Sequence, residues 1–255
     1  MSILEEIIDR KRQRLESAKR TVQFDGIERR SSPHRFRQAL LRDGINVIAE
    51  FKRRSPSKGL IRADADLNEI VKSYEAGGAA ALSVLTEEDY FSGSLDDLRA
   101  AKSVVDLPVL RKDFVFDEYQ LFESAAAGAD AVLLIVAALE DEKLVALHRL
   151  AAELGLDALV EVHTREEMQR AIACGANLIG VNNRNLHTFN VSLDTSLSLA
   201  QDAPKDVVLI SESGLRNATD LLRLRDAGYR GFLIGESLMR SEDPAAALRA
   251  LTGTT

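Results

Sequence analysis

Asn46-Val-Ile-Ala-Glu-Phe-Lys52 is a short apolar run that ends in charge, and four further runs repeat the pattern. They are Pro108-Val-Leu-Arg-Lys-Asp113, Asp157-Ala-Leu-Val-Glu-Val-His163, Leu178-Ile-Gly-Val-Asn-Asn-Arg184 and Val207-Val-Leu-Ile-Ser-Glu-Ser-Gly214. Each is rich in Val, Ile and Leu and bounded by turn residues, as a strand covered on both faces must be. The polar residues arrive at the C-terminal end every time. If the strands are parallel, those ends gather on one face of one sheet. Glu50, Lys52, Lys112, Glu161, Asn182, Arg184 and Glu212 then converge, although they are spread from position 50 to position 212. Active sites on α/β barrels are built in this way.

The chain has 255 residues, close to the usual length of one eight-fold α/β barrel, and 45% of them are hydrophobic, enough for a sizeable core. A net charge of −7 argues against non-specific nucleic-acid binding. Local charge differs from the average, since Lys52, Arg53, Arg54 and Lys58 form a basic patch within seven residues. Cys174 is the only cysteine, so neither an intramolecular disulfide nor a cysteine zinc site can form. Met1 leads into a charged segment with no apolar h-region, and no apolar run approaches a membrane span. A cytoplasmic protein is expected.

A weak internal repeat organises the chain. A small or apolar residue, then Gly, then a strand recurs at Ala76-Gly77-Gly78, Ala127-Gly128, Leu154-Gly155, Cys174-Gly175 and Ala227-Gly228. Gly after a helical stretch is the usual left-handed stop. Strands introduced by Pro108 and just after Pro204 fill the two longer gaps. The count is eight strands, near 46–52, 79–85, 108–112, 130–136, 157–162, 178–182, 207–211 and 231–235. Helical stretches lie between them, such as 143–153 with Leu144, Leu147, Leu150 and Ala151 on one face. Strand–helix alternation implies parallel βαβ units. No Gly-x-Gly-x-x-Gly follows the first strand, which weakens an open dinucleotide-binding sheet. The expected fold is α/β, a single (β/α)8 TIM barrel domain over 1–255, with 1–45 as an N-terminal helical extension. In the extension Ile3, Leu4, Ile7, Ile8 and Leu15 share a helical face. Ser32-Pro33 reads as the start of a second helix through Leu41. Pattern alone slightly favours these helices as a plug for the barrel bottom over a cover for its mouth.

Period-two alternation assigns the inward residues. Ile48, Glu50 and Lys52 share a face opposite Val47, Ala49 and Phe51, so the carboxylate and the ammonium point to the barrel axis. The same reasoning pairs Leu110 with Lys112, Leu159 with Glu161, Gly180 with Asn182 and Arg184, and Ile210 with Glu212. A ring of mutually neutralising ion pairs explains any one of these residues as well as a catalytic role does. It explains all seven together poorly. Lysines and carboxylates mixed in one site suit proton transfer at carbon or at a carbonyl. A buried Lys near other cations titrates low, a Glu near a Lys stays ionised as a base, and a Lys can instead form a Schiff base.

Phosphate binding is the second signal. Ser213-Gly214 follows strand 7 and Gly235-Glu236-Ser237 follows strand 8. Backbone N–H groups in these loops are the usual anion cradle of the fold, although Gly can also serve only the tight turn. Ser55 and Arg54, after strand 1, are placed to close the same pocket. His34, His148 and His187 have no paired ligands, and His163 lies near Glu161 without a second His at metal spacing. All four read as non-catalytic, and Cys174 reads as packing.

At these motifs the chain resembles the indole-3-glycerol phosphate synthase family, over nearly its whole length. The stretches that carry the likeness are Ala49-Glu-Phe-Lys-Arg-Arg-Ser-Pro-Ser-Lys-Gly59, Leu85-Thr-Glu-Glu-Asp-Tyr-Phe-Ser-Gly-Ser94 and Leu110-Arg-Lys-Asp-Phe114. Leu159-Val-Glu-Val-His163, Ile179-Gly-Val-Asn-Asn-Arg-Asn-Leu186, Ser211-Glu-Ser-Gly214 and Leu233-Ile-Gly-Glu-Ser-Leu-Met-Arg240 continue it, and Ile3-Leu-Glu-Glu-Ile7 with Lys11-Arg12 looks like the family's first helix. Arg54 departs from the pattern, where relatives often carry Lys or Ala. The resemblance implies ring closure, decarboxylation and dehydration of 1-(2-carboxyphenylamino)-1-deoxyribulose 5-phosphate, in tryptophan biosynthesis. It implies Lys112 as general acid, Glu161 as catalytic carboxylate, and Lys52 as partner of the substrate carboxylate or second acid. Glu50, Asn182, Arg184 and Glu212 would orient the lysines and the substrate hydroxyls. Ser55, Ser213, Gly214, Gly235 and Glu236 would surround the phosphate, and Phe91, Phe114, Leu133 and Leu186 would wall the anthranilate ring. No metal or organic cofactor is implied. The resemblance also tips the N-terminal extension from plug toward partial cover over the mouth.

The expected partner is a phosphorylated small molecule, with no nucleic acid and no membrane. The expected state is a monomer open to transient contact with other pathway enzymes. The nearest rival reading is another phosphosugar barrel such as phosphoribosylanthranilate isomerase, which would not require two inward lysines beside Glu161. A rival of another class is a non-catalytic phosphometabolite-binding barrel.

Overall fold

Eight parallel strands close on themselves in the computed structural model, which describes residues 3–21, 24, 34–185 and 188–253. They are β1 (Asn46–Phe51), β2 (Ala81–Leu85), β3 (Val109–Lys112), β4 (Ala131–Ile135), β5 (Asp157–Val162), β6 (Leu178–Asn182), β7 (Val208–Glu212) and β8 (Tyr229–Ile234). Each pairs with its sequence neighbours, and β8 returns to β1 through Asn46 opposite Gly231 and Ile48 opposite Leu233. The eight expected strands lie within about two residues of these limits, the usual uncertainty of a strand end. β8 starts earlier than expected. Tyr229 is buried, donates its hydroxyl to Ser196 O at 2.8 Å and joins β7 across a register shift before Gly231. Among the described residues the sequence pattern missed a two-stranded hairpin after β1 that pairs Arg54–Ser55 with Gly59–Leu60.

Local chemistry punctuates the βα units as the repeat suggests. Helices open on Asp66, Ser94, Asp117, Thr164, Asn217 and Asp243, whose side chains accept a first-turn N–H. Those opened by Asp66, Asp117, Thr164 and Asn217 run to the repeated glycines, whereas the Ser94 helix ends at Val105 in extended backbone. Gly128 (φ 87°) and Gly155 (φ 75°) are left-handed, and the next residue bonds back five positions, Ala129 N to Ser124 O and Leu156 N to Ala151 O. This 6→1 closure satisfies carbonyls that the helix end would otherwise orphan.

Alternation divides the core in two. Val47, Ala49, Val132, Val160 and Val181 join the layer between sheet and helices. Ile48, Leu110, Leu133, Leu159, Ile210 and Leu233 fill the barrel interior. The extension serves both ends of that interior. Its second helix, α2 (Arg35–Ala39), plugs the bottom by burying Phe36, with Leu40 just beyond, among those interior residues. Each contributes about 2 kcal/mol of burial. Asp157 accepts the Arg37 N–H at 2.9 Å and lies 2.8 Å from His34 Nδ1, and Asn46 Nδ2 donates to Leu40 O at 3.1 Å. Ser32-Pro33, read as the start of this helix, lies outside the described residues.

The first helix, α1 (Ile3–Thr21), lies over the mouth. Ile7, Ile8 and Leu15 are buried, and its charges are anchored. Arg14 pairs with Asp89 at 2.6 Å, Lys19 with Asp117 at 2.8 Å, and the buried Lys11 with Asp113 at 2.7 Å. Asp113 also accepts from Arg111 at 3.0 Å and from Thr86 at 2.6 Å. Burial opposes ionisation of Asp113, but Lys11 and Arg111 outweigh it and hold the carboxyl down at about 2. The plug and cover readings of the extension are therefore both realised, one by each helix.

Asp113→Asn should destabilise the fold by about 3 kcal/mol, the low end for removing one partner of buried charges. Lys11 would keep Glu88 and Arg111 would keep Glu123. Because the folded pKa is depressed, the stabilisation by Asp113 is present above its unfolded value of about 3.9 and is lost as pH falls toward 2. Urea melts of both proteins between pH 7 and pH 3 check this. The difference should shrink toward the acid end.

Candidate active site

The strand ends deliver their polar residues into one cavity of about 760 Å³ at the C-terminal face of the barrel. Its walls include Glu50, Lys52, Lys112, Glu161, Asn182, Arg184 and Glu212, the seven residues that the sequence pattern brings together. Lys112 is the hub. Its Nζ lies 2.9 Å from Glu161 Oε2 and 2.5 Å from Glu212 Oε2. Lys52 pairs separately with Glu50 Oε1 at 2.6 Å. Ser83 of β2 reaches the other Glu50 oxygen at 3.5 Å. Asn182 Nδ2 is 3.4 Å from Glu161 Oε1 and Asn182 Oδ1 accepts the Arg184 N–H at 3.0 Å.

Small residues make room for this constellation. A Cβ on Gly180 would overlap Glu212 Oε1, and one on Gly235 would stand 2.6 Å from Glu50 Oε1. The two glycines are where neighbouring strands let carboxylates lean inward. Electrostatics then sorts the groups. Burial disfavours the Lys112 ammonium, but Glu161, Glu212 and Glu50 outweigh it and raise its pKa above the usual lysine range. This corrects the expectation of a lysine lowered by neighbouring cations, because the nearest charges are anions. A lysine held protonated is a poor Schiff-base nucleophile. Glu161 and Glu212 share that ammonium and titrate together. Burial pushes both up, but Lys112 and then His163 bring Glu161 below the usual carboxylate range. Glu212 stays above it, because burial and the negative charges of Glu161 and Glu50 exceed the pull of Lys112. The geometry agrees: Glu212 Oε1 has no hydrogen-bond partner among the described residues, whereas Glu161 Oε1 faces Asn182.

Two further regions line the cavity. On one side Phe91 and Phe114, ring centroids 6.2 Å apart, stand with Leu133 in an apolar wall. Leu85 and Ile135 extend it, as do Ile3, Leu4 and Ile7 of α1. On the other side Ser55, Ser213, Gly214, Gly235 and Glu236 come together. Ser213 (φ 66°) and Gly214 (φ 79°) are both left-handed, and a Cβ on Gly214 would overlap Val191. The Glu236 carboxylate turns to Arg240 at 3.3 Å and toward Lys58 at 4.0 Å. One expected residue is not in this lining, and another cannot be placed in it. Leu186 lies outside the described residues, as does His187. Arg54 is exposed, because the hairpin alternates and turns Ser55 inward instead. Arg216 and Arg240 reach the cavity unanticipated. Each follows a phosphate-type glycine by only two to five positions, a spacing that could have flagged them. His163, read as non-catalytic, sits 3.4 Å from Glu161.

Among described residues no group of three or more His, Cys, Asp or Glu side chains is arranged to hold a metal, and no helix is long and apolar enough to cross a membrane.

Comparison with known proteins gives the fold and the family. The structure of 3-hexulose-6-phosphate synthase from Salmonella typhimurium superposes with a TM-score of 0.65 at 12% identity, covering 82% of this chain and 98% of that one, a likeness of fold alone. The indole-3-glycerol phosphate synthase of Koribacter versatilis is 50% identical over 258 residues, spanning 99% of this chain and 99% of its own. That of Bacteroides thetaiotaomicron is 47% identical over 251 residues, spanning 97% of this chain and 96% of its own. The family model for indole-3-glycerol phosphate synthase matches residues 4–251, and the chain belongs to that family.

Proposed function

We propose that this barrel converts 1-(2-carboxyphenylamino)-1-deoxyribulose 5-phosphate to indole-3-glycerol phosphate, CO₂ and water, with Lys112 and Glu161 as its central proton-transfer pair. The observation that carries the assignment of roles is the Lys112 ammonium held between Glu161 and Glu212. It stands in a cavity with an apolar wall on one side and the glycine loops after β7 and β8 on the other.

The phosphate sits against backbone N–H groups near Gly214 and Gly235, with Ser55 and Ser213 beside it. The anthranilate ring lies on Phe91, Phe114 and Leu133, away from water. With both ends held, the ring carbon that bears the carboxylate faces the ketone. That carbon attacks the carbonyl carbon, and the carbonyl oxygen takes a proton from Lys112. A lysine with a raised pKa keeps its proton until an alkoxide develops, which makes it selective for this step. The C–CO₂ bond then breaks, its electrons restoring aromaticity. Finally the new hydroxyl leaves as water with a proton, and a base removes a proton from the adjacent carbon to form the indole double bond. Glu161, held ionised, is that base. Lys52 pairs with the substrate carboxylate before decarboxylation and protonates the leaving hydroxyl afterwards. Glu50 steadies Lys52, Glu212 steadies Lys112, and Asn182 and Arg184 orient the substrate hydroxyls.

Turnover is directly visible, because the chain lacks Trp and the indole product fluoresces over little protein background. Lys112→Ala and Glu161→Gln should each lower kcat by roughly 10²-fold or more, the scale of a positioned proton-transfer group. Both should keep the wild-type circular dichroism. Near-normal turnover in either folded variant removes that residue from the mechanism, and ligand binding without any indole signal from the wild type returns the chain to a binding barrel.

The phosphate assignment has its own test. A substrate analogue without the phosphate should raise KM by about 10²-fold, because charge-assisted hydrogen bonds are lost. A crystal of the product complex with the phosphate away from Gly214 and Gly235 would contradict the placement.

A further inference from the structure

His163 follows Glu161 by two positions and shares its side of the strand. Its imidazole lies between two carboxylates. Nδ1 is 3.1 Å from Glu167 Oε2, and the same oxygen accepts the His163 backbone N–H at 2.6 Å. Glu167 is put there by helix-cap chemistry: Thr164 caps the helix Arg165–Ala173 and its Oγ1 accepts the Glu167 N–H at 3.2 Å. Nε2 is buried, lies 3.4 Å from Glu161 Oε1 and has no hydrogen-bond partner among the described residues.

Each ring nitrogen therefore faces a carboxylate oxygen. A neutral imidazole has one N–H and one bare lone pair. Whichever nitrogen is bare would aim that pair at an anion. An imidazolium presents N–H to both. The charges around it point the same way. Glu161 lies on its own strand, Glu167 on the following helix and Glu212 on β7, with Lys112 beyond Glu161 on β3. Glu5 of α1 and Arg184 after β6 share the side cavity that His163 lines. Burial lowers the His163 pKa, but Glu167, Glu161 and Glu212 exceed that effect and raise it overall. His163 does not line the cavity that would hold the substrate.

We propose that His163 is a positioning residue that, as an imidazolium clamped by Glu167, holds one Glu161 oxygen and leaves the other to Lys112. The role deepens the reading of Glu161 as the base and rests on it. It links a helix cap to the reaction through three side chains: Thr164 fixes Glu167, Glu167 fixes His163, and His163 fixes Glu161. As pH rises through the folded pKa of His163 the proton is lost, Glu161 loses this partner, and kcat falls on the alkaline side.

Imidazole NMR of the full chain reads the charge. The chain has four histidines, so the His163 signal is the one missing in His163→Gln. It should titrate above the ordinary value of about 6.5 in the wild type and lower in Glu167→Gln. The alkaline limb of kcat should move down with it in Glu167→Gln and disappear in His163→Gln. His163→Gln should lower kcat by about 10-fold, with KM within about twofold, since it removes one charged contact and no substrate contact. A His163 pKa at or below about 6.5, or a wild-type kcat–pH profile in His163→Gln, would overturn the role. If His163→Gln does not fold, the Glu167→Gln profile decides alone: an unmoved limb rejects the role. Glu161→Gln keeps the two readings apart. Normal turnover there removes Glu161 as base, whereas an inactive Glu161→Gln beside an unaltered His163→Gln profile removes only His163.

Discussion

Three carboxylates, Glu50, Glu161 and Glu212, are buried together at one end of a barrel, and only the two ammonium groups beside them make that tolerable. Burying even one unpaired carboxylate costs several kcal/mol, so Lys52 and Lys112 offset much of the cost of folding this end of the barrel. The rest of the mouth follows from this constraint. Gly180 and Gly235 have no side chain because Glu212 and Glu50 occupy the space. Glu161 is surrounded by Lys112, Asn182 and His163, while the Glu212 carboxylate relies on Lys112 alone for a hydrogen bond among the described residues. Two glutamates of identical chemistry are thereby driven in opposite directions, the arrangement from which acid and base roles are made.

The constellation is preorganised from both ends of the barrel. Below it lies an apolar interior sealed by Phe36 and Leu40, which keeps water and competing dielectric away from the charges. Above it α1 adds Ile3, Leu4 and Ile7 to the apolar wall. The same helix is held to β3 through Lys11 and Asp113, immediately after Lys112. The cover is thus fixed to the residue next to Lys112 at one strand end, so a shift of the cover would pull on the backbone that carries Lys112. A rigid scaffold of this kind suits a reaction whose substrate must be held at two distant ends while a new ring closes between them.

Much of this was legible in the sequence because parallel barrel strands have an unusual signature. They are apolar on both faces and turn polar only at one end, so Asn46–Phe51 or Val208–Glu212 can be read almost to the residue. Period-two alternation also separated Glu50 from Phe51 and Glu161 from Val162. The pattern failed where a local motif intervened. Arg54 was expected at the phosphate, but the hairpin it forms with Leu60 turns it to solvent and Ser55 inward. The pattern also gave no sign of what surrounds His163, because Glu167, in the first turn of the following helix, decides where its ring goes.

By itself the sequence determined the strands, their helices, the glycine stops and the set of residues that meet at the mouth, because these depend on short-range periodicity and turn chemistry. Only the tertiary structure decided which end of the barrel each N-terminal helix covers. An amphipathic face says that a helix is buried, not against what, and the choice rests on Asp157 and Asn46 at one end and Asp89, Asp113 and Asp117 at the other. Only the tertiary structure decided the protonation of Lys112 as well. The sequence allowed a lysine among cations, with its pKa lowered; folding set it between Glu161 and Glu212, more than forty residues away in the chain, and so kept it charged. Electrostatic character at this site is a property of which strands become neighbours across the barrel, and no window of sequence contains that information.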